Sequence, residues 1–97
     1  MLVKRVVGCP GDRIALSLGR VVLNGVMLDE SIPPELNRED DMREYHLGTD
    51  EYFVLGDNRR VSVDSQDFGP ITAAQIFGRV LLRISGSSVT TVAALDR

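Results

Sequence analysis

Two segments of this chain carry residue types suited to chemistry. Lys4-Arg-Val-Val-Gly-Cys-Pro-Gly-Asp12 sets a lysine at the head of an apolar strand that ends in a Pro-Gly-Asp turn. Gly56-Asp-Asn-Arg-Arg-Val-Ser-Val-Asp-Ser-Gln66 puts a tight turn, acids and serines directly after the apolar strand Tyr52-Phe-Val-Leu55. Such a turn holds polar groups in place, because Asn, Asp and Ser side chains hydrogen-bond the nearby backbone. The chemistry would centre on Lys4. An amine takes a proton from a hydroxyl only when neutral, and desolvation beside apolar neighbours disfavours the charged form of a lysine. Leu2, Val6 and Phe53 are expected to form that apolar wall. Judged by residue type alone, Lys4 is a solvated cation and Ser62 a turn serine satisfying its own backbone.

The elements that must position these groups are short. β-Branched segments at residues 2–7, 13–18, 20–23, 51–55 and 78–84 are separated by Gly, Pro and Asn turns, the pattern of a mainly β, antiparallel domain with little helix. Gly19 in Ser17-Leu-Gly-Arg20 can take the positive φ of a tight hairpin, so the second and third segments should pair. Asn24-Gly25 turns the chain again. Strand alternation sends Arg5 to the face opposite Lys4, toward solvent or a carboxylate. Pro10-Gly11-Asp12 is an architectural turn.

Residues 29–50 are charged and polar around Pro33-Pro34. With six charges in the eight residues 38–45 they read as a solvated loop, in which residues 35–44 make either a short helical turn or an excursion over the surface. Thr72-Ala-Ala-Gln-Ile76 reads as one helical turn, with the Thr72 hydroxyl accepting a backbone N–H as its N-cap. Ser85-Gly-Ser-Ser88 reads as a flexible connection to a final strand over 89–95.

Composition narrows the function classes. The 97 residues fit a single domain with one modest core. A net charge of -3, with acids and bases interspersed, offers neither a basic stripe for nucleic acid nor a polybasic anchor for anionic lipid. The single cysteine, Cys9, forms no intramolecular disulfide and is expected to pack as a small buried hydrophobe. No run approaches the ~18 apolar residues that span a bilayer, so these residues alone are expected to be soluble. Asp57, Asp64 and Asp67 lack calcium-loop spacing and His46 lacks a partner histidine or cysteine, so no metal and no cofactor is expected. The aromatic residues read as core or hairpin packing, since no basic residues interleave with them.

The lysine segment followed by Tyr-Phe-Val-Leu-Gly-Asp-Asn-Arg-x-x-Ser-x-Asp-Ser resembles the type I signal peptidases, membrane-anchored serine endopeptidases that remove signal peptides from exported proteins. The likeness takes in the linking hairpin Gly19-Arg-Val-Val-Leu-Asn-Gly25 and the stretch from Phe68-Gly-Pro-Ile71 to Ile76-Phe-Gly-Arg79, giving a family-like core over 1–84 and an unassigned tail over 85–97. The resemblance implies a Ser/Lys dyad with Lys4 as general base and Ser62 as the hydroxyl that orients its amine. Gly56, Asp57, Asn58 and Asp64 would fix the shape of the supporting turn. In that family an arginine usually stands two residues after the acid matching Asp64 and pairs with it. Here the position is Gln66, so a neutral hydrogen bond or Arg59 or Arg60 is expected to replace that pair.

The family's nucleophilic serine lies in a Ser-x-Met segment upstream of the lysine. No serine precedes Lys4 here, and none of Ser17, Ser31, Ser62, Ser65, Ser85, Ser87 or Ser88 precedes a methionine at that spacing. The expectation is a partial catalytic domain over 1–97, inactive alone. The parent protein would sit in the cell membrane through an N-terminal anchor, its catalytic domain on the extracytoplasmic side. Its substrates would be the signal peptides of exported preproteins, bound extended with small residues before the cut. An apolar cleft and unpaired sheet edge, left where upstream strands are missing, would favour self-association. The competing expectation is a naturally short, non-catalytic relative that binds extended peptides or protein partners. A Ser/Lys autoprotease of the repressor-cleaving type ranks last, because it lacks the Gly-Asp-Asn-Arg turn in this form.

Overall fold

A computed structural model describes residues 2–29, 33–76, 81–85 and 88–95. Tight turns set the order of the early strands. Leu18 and Gly19 take φ of 48° and 80° between β2 (Arg13–Ser17) and β3 (Arg20–Leu23), and Asn24 and Gly25 take 51° and 83° between β3 and β4 (Val26–Met27). Paired positive φ values give the turn whose twist matches that of the strands it joins. The expected hairpin therefore forms, with Ser17 opposite Arg20 and Ile14 opposite Leu23. A side chain at Gly19 would also meet Asn37, so the tip needs glycine for space as well as for φ.

These strands and β5 (Met42–His46) form a sheet in the order β4-β3-β2-β5. The second sheet has the order β6-β1-β8-β7, built from β1 (Leu2–Gly8), β6 (Phe53–Leu55), β7 (Leu81–Ser85) and β8 (Ser88–Leu95). Neighbouring strands are antiparallel throughout, so the mainly β antiparallel expectation holds. The only α-helix among the described residues is α1 (Ser65–Phe68), and residues 34–36 and 73–75 make 3-10 turns. No helix among the described residues is long and apolar enough to cross a membrane. The main core, Val7, Ile14, Leu16, Val21, Leu47, Phe53 and Leu55, draws on strands of both sheets and lies between them. A smaller cluster, Val54 and Ile71 with Val6, Tyr52 and Ile76, covers the other face of β1 and β6.

Several expectations are corrected. Residues 42–46 are not loop: β5 pairs with β2, with Arg13 opposite His46 and Leu16 opposite Met42. An edge strand needs only backbone pairing on one side, so its charged, exposed side chains conceal it. The acidic run before it is not merely solvated, since Asp41 accepts the Leu18 N–H and Asp40 holds Arg38. Cys9 is exposed, because it opens a turn in which Asp12 donates its N–H to the Cys9 carbonyl while its carboxylate accepts the Cys9 N–H. The Pro-Gly-Asp turn itself is as expected.

Thr72 stands at the N-cap of the 3-10 turn over 73–75 as expected, and the Gln75 side-chain oxygen in turn accepts the Thr72 N–H at 2.8 Å. Beyond Ser85, β8 pairs with both β1 and β7, so β1 is hydrogen-bonded along both edges. Residues 86–87 and the first part of the expected 78–84 strand lie outside the described residues.

Candidate active site

Alternation along β1 turns Lys4 and Val6 to one face and Arg5 and Val7 to the other. In the register with β6, Arg5 lies opposite Leu55 and Val6 opposite Val54, so one further step brings Gly56 opposite Lys4. Val6 and Val54 belong to the smaller apolar cluster on the Lys4 face, whereas Phe53 packs with Val7 and Leu55 between the sheets. Phe53 is therefore no part of the wall around Lys4, and the Leu2 side chain lies outside the described residues.

Lys4 is only 9% exposed, and its Nζ donates to Ser62 Oγ at 2.7 Å. The turn makes this approach because the Asn58 carbonyl accepts the N–H groups of Ser62 and Val61, folding the chain back over Gly56. A Cβ at Gly56 would lie 2.6 Å from Ser62 Cβ and 3.4 Å from Lys4 Nζ, so glycine is required there by space. Val61 and Val63, on either side of Ser62, are 74% and 58% exposed, giving the pair an apolar rim open to solvent.

The supporting residues divide by what they hold. Asp64 is fully buried; one carboxylate oxygen accepts the Gly56 N–H at 3.0 Å and the other the Gln66 N–H at 3.0 Å. A buried carboxylate is costly unless such donors satisfy it. As N-cap of α1 it also gives its own N–H to Asp67 Oδ2 at 3.1 Å, closing a capping box. Asp57 does not fix the turn through the backbone as expected. It forms a bidentate pair with Arg5 at 2.8 and 2.9 Å, across the face that alternation assigned to Arg5. The Arg5 guanidinium holds the Asp57 carboxyl below its usual range, against an opposing push from burial. The Asn58 side chain is exposed, and its part in the turn is its backbone carbonyl.

Arg59 enters the site at Gly56, and two residues that the sequence does not single out, Ser65 and Arg38, support it. Arg59 is 1% exposed and gives its Nε–H to the Gly56 carbonyl at 2.8 Å, so Gly56 is gripped from both its N–H and its C=O. Ser65, 3% exposed, accepts the Val54 N–H at 2.9 Å and ties the start of α1 to β6. Arg38 reaches α1 through Asp67. An aspartate followed three residues on by another acidic residue is a helix-start pattern that could have marked Asp67. At Gln66 the expected neutral replacement is its backbone N–H to Asp64, while its side-chain Oε1 is buried without a hydrogen-bond partner among the described residues. Arg60 turns outward, its Nη1 at 3.4 Å from the Glu35 carbonyl.

Comparison with known proteins points to a single family. Residues 1–85 match the family described as signal peptidase, peptidase S26. The chain is 38% identical over 84 residues to a probable signal peptidase I-2 of Synechocystis sp., covering 84% of this chain and 37% of that protein. It is 37% identical over 101 residues to signal peptidase IB of Staphylococcus aureus, covering 84% of this chain and 51% of that protein. It thus spans from about a third to about half of the length of these relatives. Among solved structures, a signal peptidase I from Enterococcus faecalis V583 superposes with a TM-score of 0.59 at 30% identity, over 73% of this chain and 74% of that one.

Proposed function

The chain belongs to the signal peptidase family, peptidase S26, and from that premise we propose that it forms the base-carrying part of a serine endopeptidase that cleaves signal peptides from exported proteins. Lys4 is the general base. The nucleophilic serine comes from a segment outside these residues, and the parent protein is held at the membrane with this domain on the extracytoplasmic side. The observation that carries the reading is a lysine 9% exposed whose Nζ sits 2.7 Å from Ser62 Oγ.

A neutral amine has two N–H bonds and one lone pair. With one N–H donated to Ser62, rotation about the Cε–Nζ bond is restrained and the lone pair can be aimed at an incoming hydroxyl. That hydroxyl attacks the scissile carbonyl as Lys4 takes its proton, and the proton then passes to the departing amine of the mature protein. The acyl-enzyme is hydrolysed by a water that Lys4 deprotonates in turn. Oxyanion donors would lie around the nucleophile. Ser62, Gly56 and Asp64 act by position. Ser62 fixes the amine, Gly56 leaves room for the approach, and Asp64 holds the Gly56 backbone. An extended peptide with small residues before the cut suits a shallow site with an apolar rim such as Val61 and Val63.

The test is cleavage of a preprotein in detergent by this chain alone, by the chain extended upstream through the presumed serine, and by the extended chain carrying Lys4→Ala. Cleavage by the extended Lys4-containing form alone is the expected result. A folded but inactive extended form would overturn the assignment and favour a peptide-binding relative without catalysis.

A further inference from the structure

The excursion between β4 and β5 is fastened on two sides through residues 36–41. On one side it meets the β2–β3 hairpin: the Gly19 N–H donates to the Asp40 carbonyl, the Leu18 N–H to Asp41, and Asn37 Nδ2 to the Leu18 carbonyl. On the other it meets the loop that carries Ser62, where the Arg60 N–H donates to the Leu36 carbonyl at 3.1 Å. Arg38 completes the second attachment. Its Nη1 and Nη2 lie 3.0 and 2.8 Å from the two oxygens of Asp67, while its Nε pairs with Asp40 at 2.6 Å.

We propose that Arg38 is a positioning residue for the Lys4–Ser62 pair, acting through Asp67 and Asp64; this deepens the peptidase reading and rests on it. The path is continuous. Arg38 fixes the plane of the Asp67 carboxylate, whose Oδ2 also accepts the Asp64 N–H, and the Asp64 carboxylate accepts the N–H of Gly56, the residue packed against Ser62 Oγ and Lys4 Nζ. An exposed ion pair is ordinarily worth little. This one differs in being bidentate, with Arg38 side-chain exposure of 28%, and in sharing an acceptor oxygen with a backbone N–H next to the site. The pair's titration agrees: the Arg38 guanidinium, then the Asp64 N–H and least the Lys4 charge hold Asp67 below the usual carboxylate range, and Asp67 holds Arg38 up.

The first test uses this chain as it stands, reading amide hydrogen exchange in Arg38→Met, Arg38→Lys and Asp67→Asn. Exchange at Asp64 and Gly56 should quicken about tenfold in Arg38→Met and Asp67→Asn, with the Ile14 amide in the core strand unchanged and Arg38→Lys intermediate. In the upstream-extended form, Arg38→Met should lower kcat about tenfold with KM nearly constant, since the loss is of alignment and not of substrate contact. The double variant Arg38→Met/Asp67→Asn should be no worse than either single one, because the residues act as one unit. Equal acceleration at Ile14, additive losses, or an unchanged kcat would each overturn the proposal. If the extended parent form itself cleaves nothing, the peptidase reading has failed, and an unmoved Gly56 amide would still separately refute the Arg38 relay.

Discussion

Replacing Gly56 with alanine tests the close approach at the centre of the site. The added methyl would lie 2.6 Å from Ser62 Cβ and 3.4 Å from Lys4 Nζ. Nonbonded carbons settle near 3.5–4.0 Å, so Ser62 has to retreat by roughly 1 Å. That shift is large against a hydrogen bond of 2.7 Å. Gly56 does not occupy the left-handed region, so backbone strain is not the cause and the effect isolates the contact. Overpacking of this kind costs about 1–3 kcal/mol, and a misplacement of that size next to reacting groups can lower the rate by about 100-fold. The assays are urea unfolding of this chain and kcat of the upstream-extended form on a signal-peptide substrate. Adding Ser62→Gly to Gly56→Ala removes the clashing Cβ, and should restore stability without restoring rate because the hydroxyl is gone as well. A Gly56→Ala form with parental kcat would refute the geometry. So would a double variant with restored rate, which would show that Ser62 does not orient Lys4.

Asp64→Ala strips the acceptors from the Gly56 and Gln66 N–H groups inside the fold, and each unsatisfied buried donor costs about 1–3 kcal/mol. Asp64→Asn keeps one carbonyl oxygen and should fall between parent and alanine variant in urea midpoint; equal midpoints for all three would contradict the assignment. The carboxyls of Asp57 and Asp67 sit below their ordinary 3.8, the first held by Arg5 and the second by Arg38, so each contributes stability above that pH. The contribution is lost as pH falls from about 4 through the lowered folded values, and Asp57→Asn/Asp67→Asn should flatten the acid decline followed by circular dichroism between pH 6 and pH 2. High salt should shrink the difference, since both carboxylates are partly exposed. Sedimentation of this chain should show concentration-dependent association through its open edges and exposed Val61 and Val63; a clean monomer at all concentrations would count against it.

What the sequence made legible is what depends on neighbours along the chain. The Leu18–Gly19 and Asn24–Gly25 turns follow from local φ requirements and the Arg5 orientation from strand alternation, whereas the meeting of Lys4 with Ser62 was implied only by the family resemblance. The errors arose where facing or burial depends on distant pairing. Phe53 has the apolar type expected of the Lys4 wall, but the bulge between Val6 and Gly8 and the Val6–Val54 register put it on the other face. Cys9 has the composition of a core residue and the position of a turn residue, and the turn prevails. Residues 42–46 show no apolar alternation because β5 is held by its backbone at a sheet edge. Asp64 reads from its type and place as a turn-fixing acceptor of backbone N–H groups, and the N–H groups of Gly56 and Gln66 do take its two oxygens. Arg38 and Asp67 stand 29 positions apart in a stretch that looks merely solvated. No local rule links them; the link exists because the excursion returns across the Ser62 loop. Lys4 and Ser62 were therefore reached through the family resemblance, while the residues that hold the loop in place required the fold.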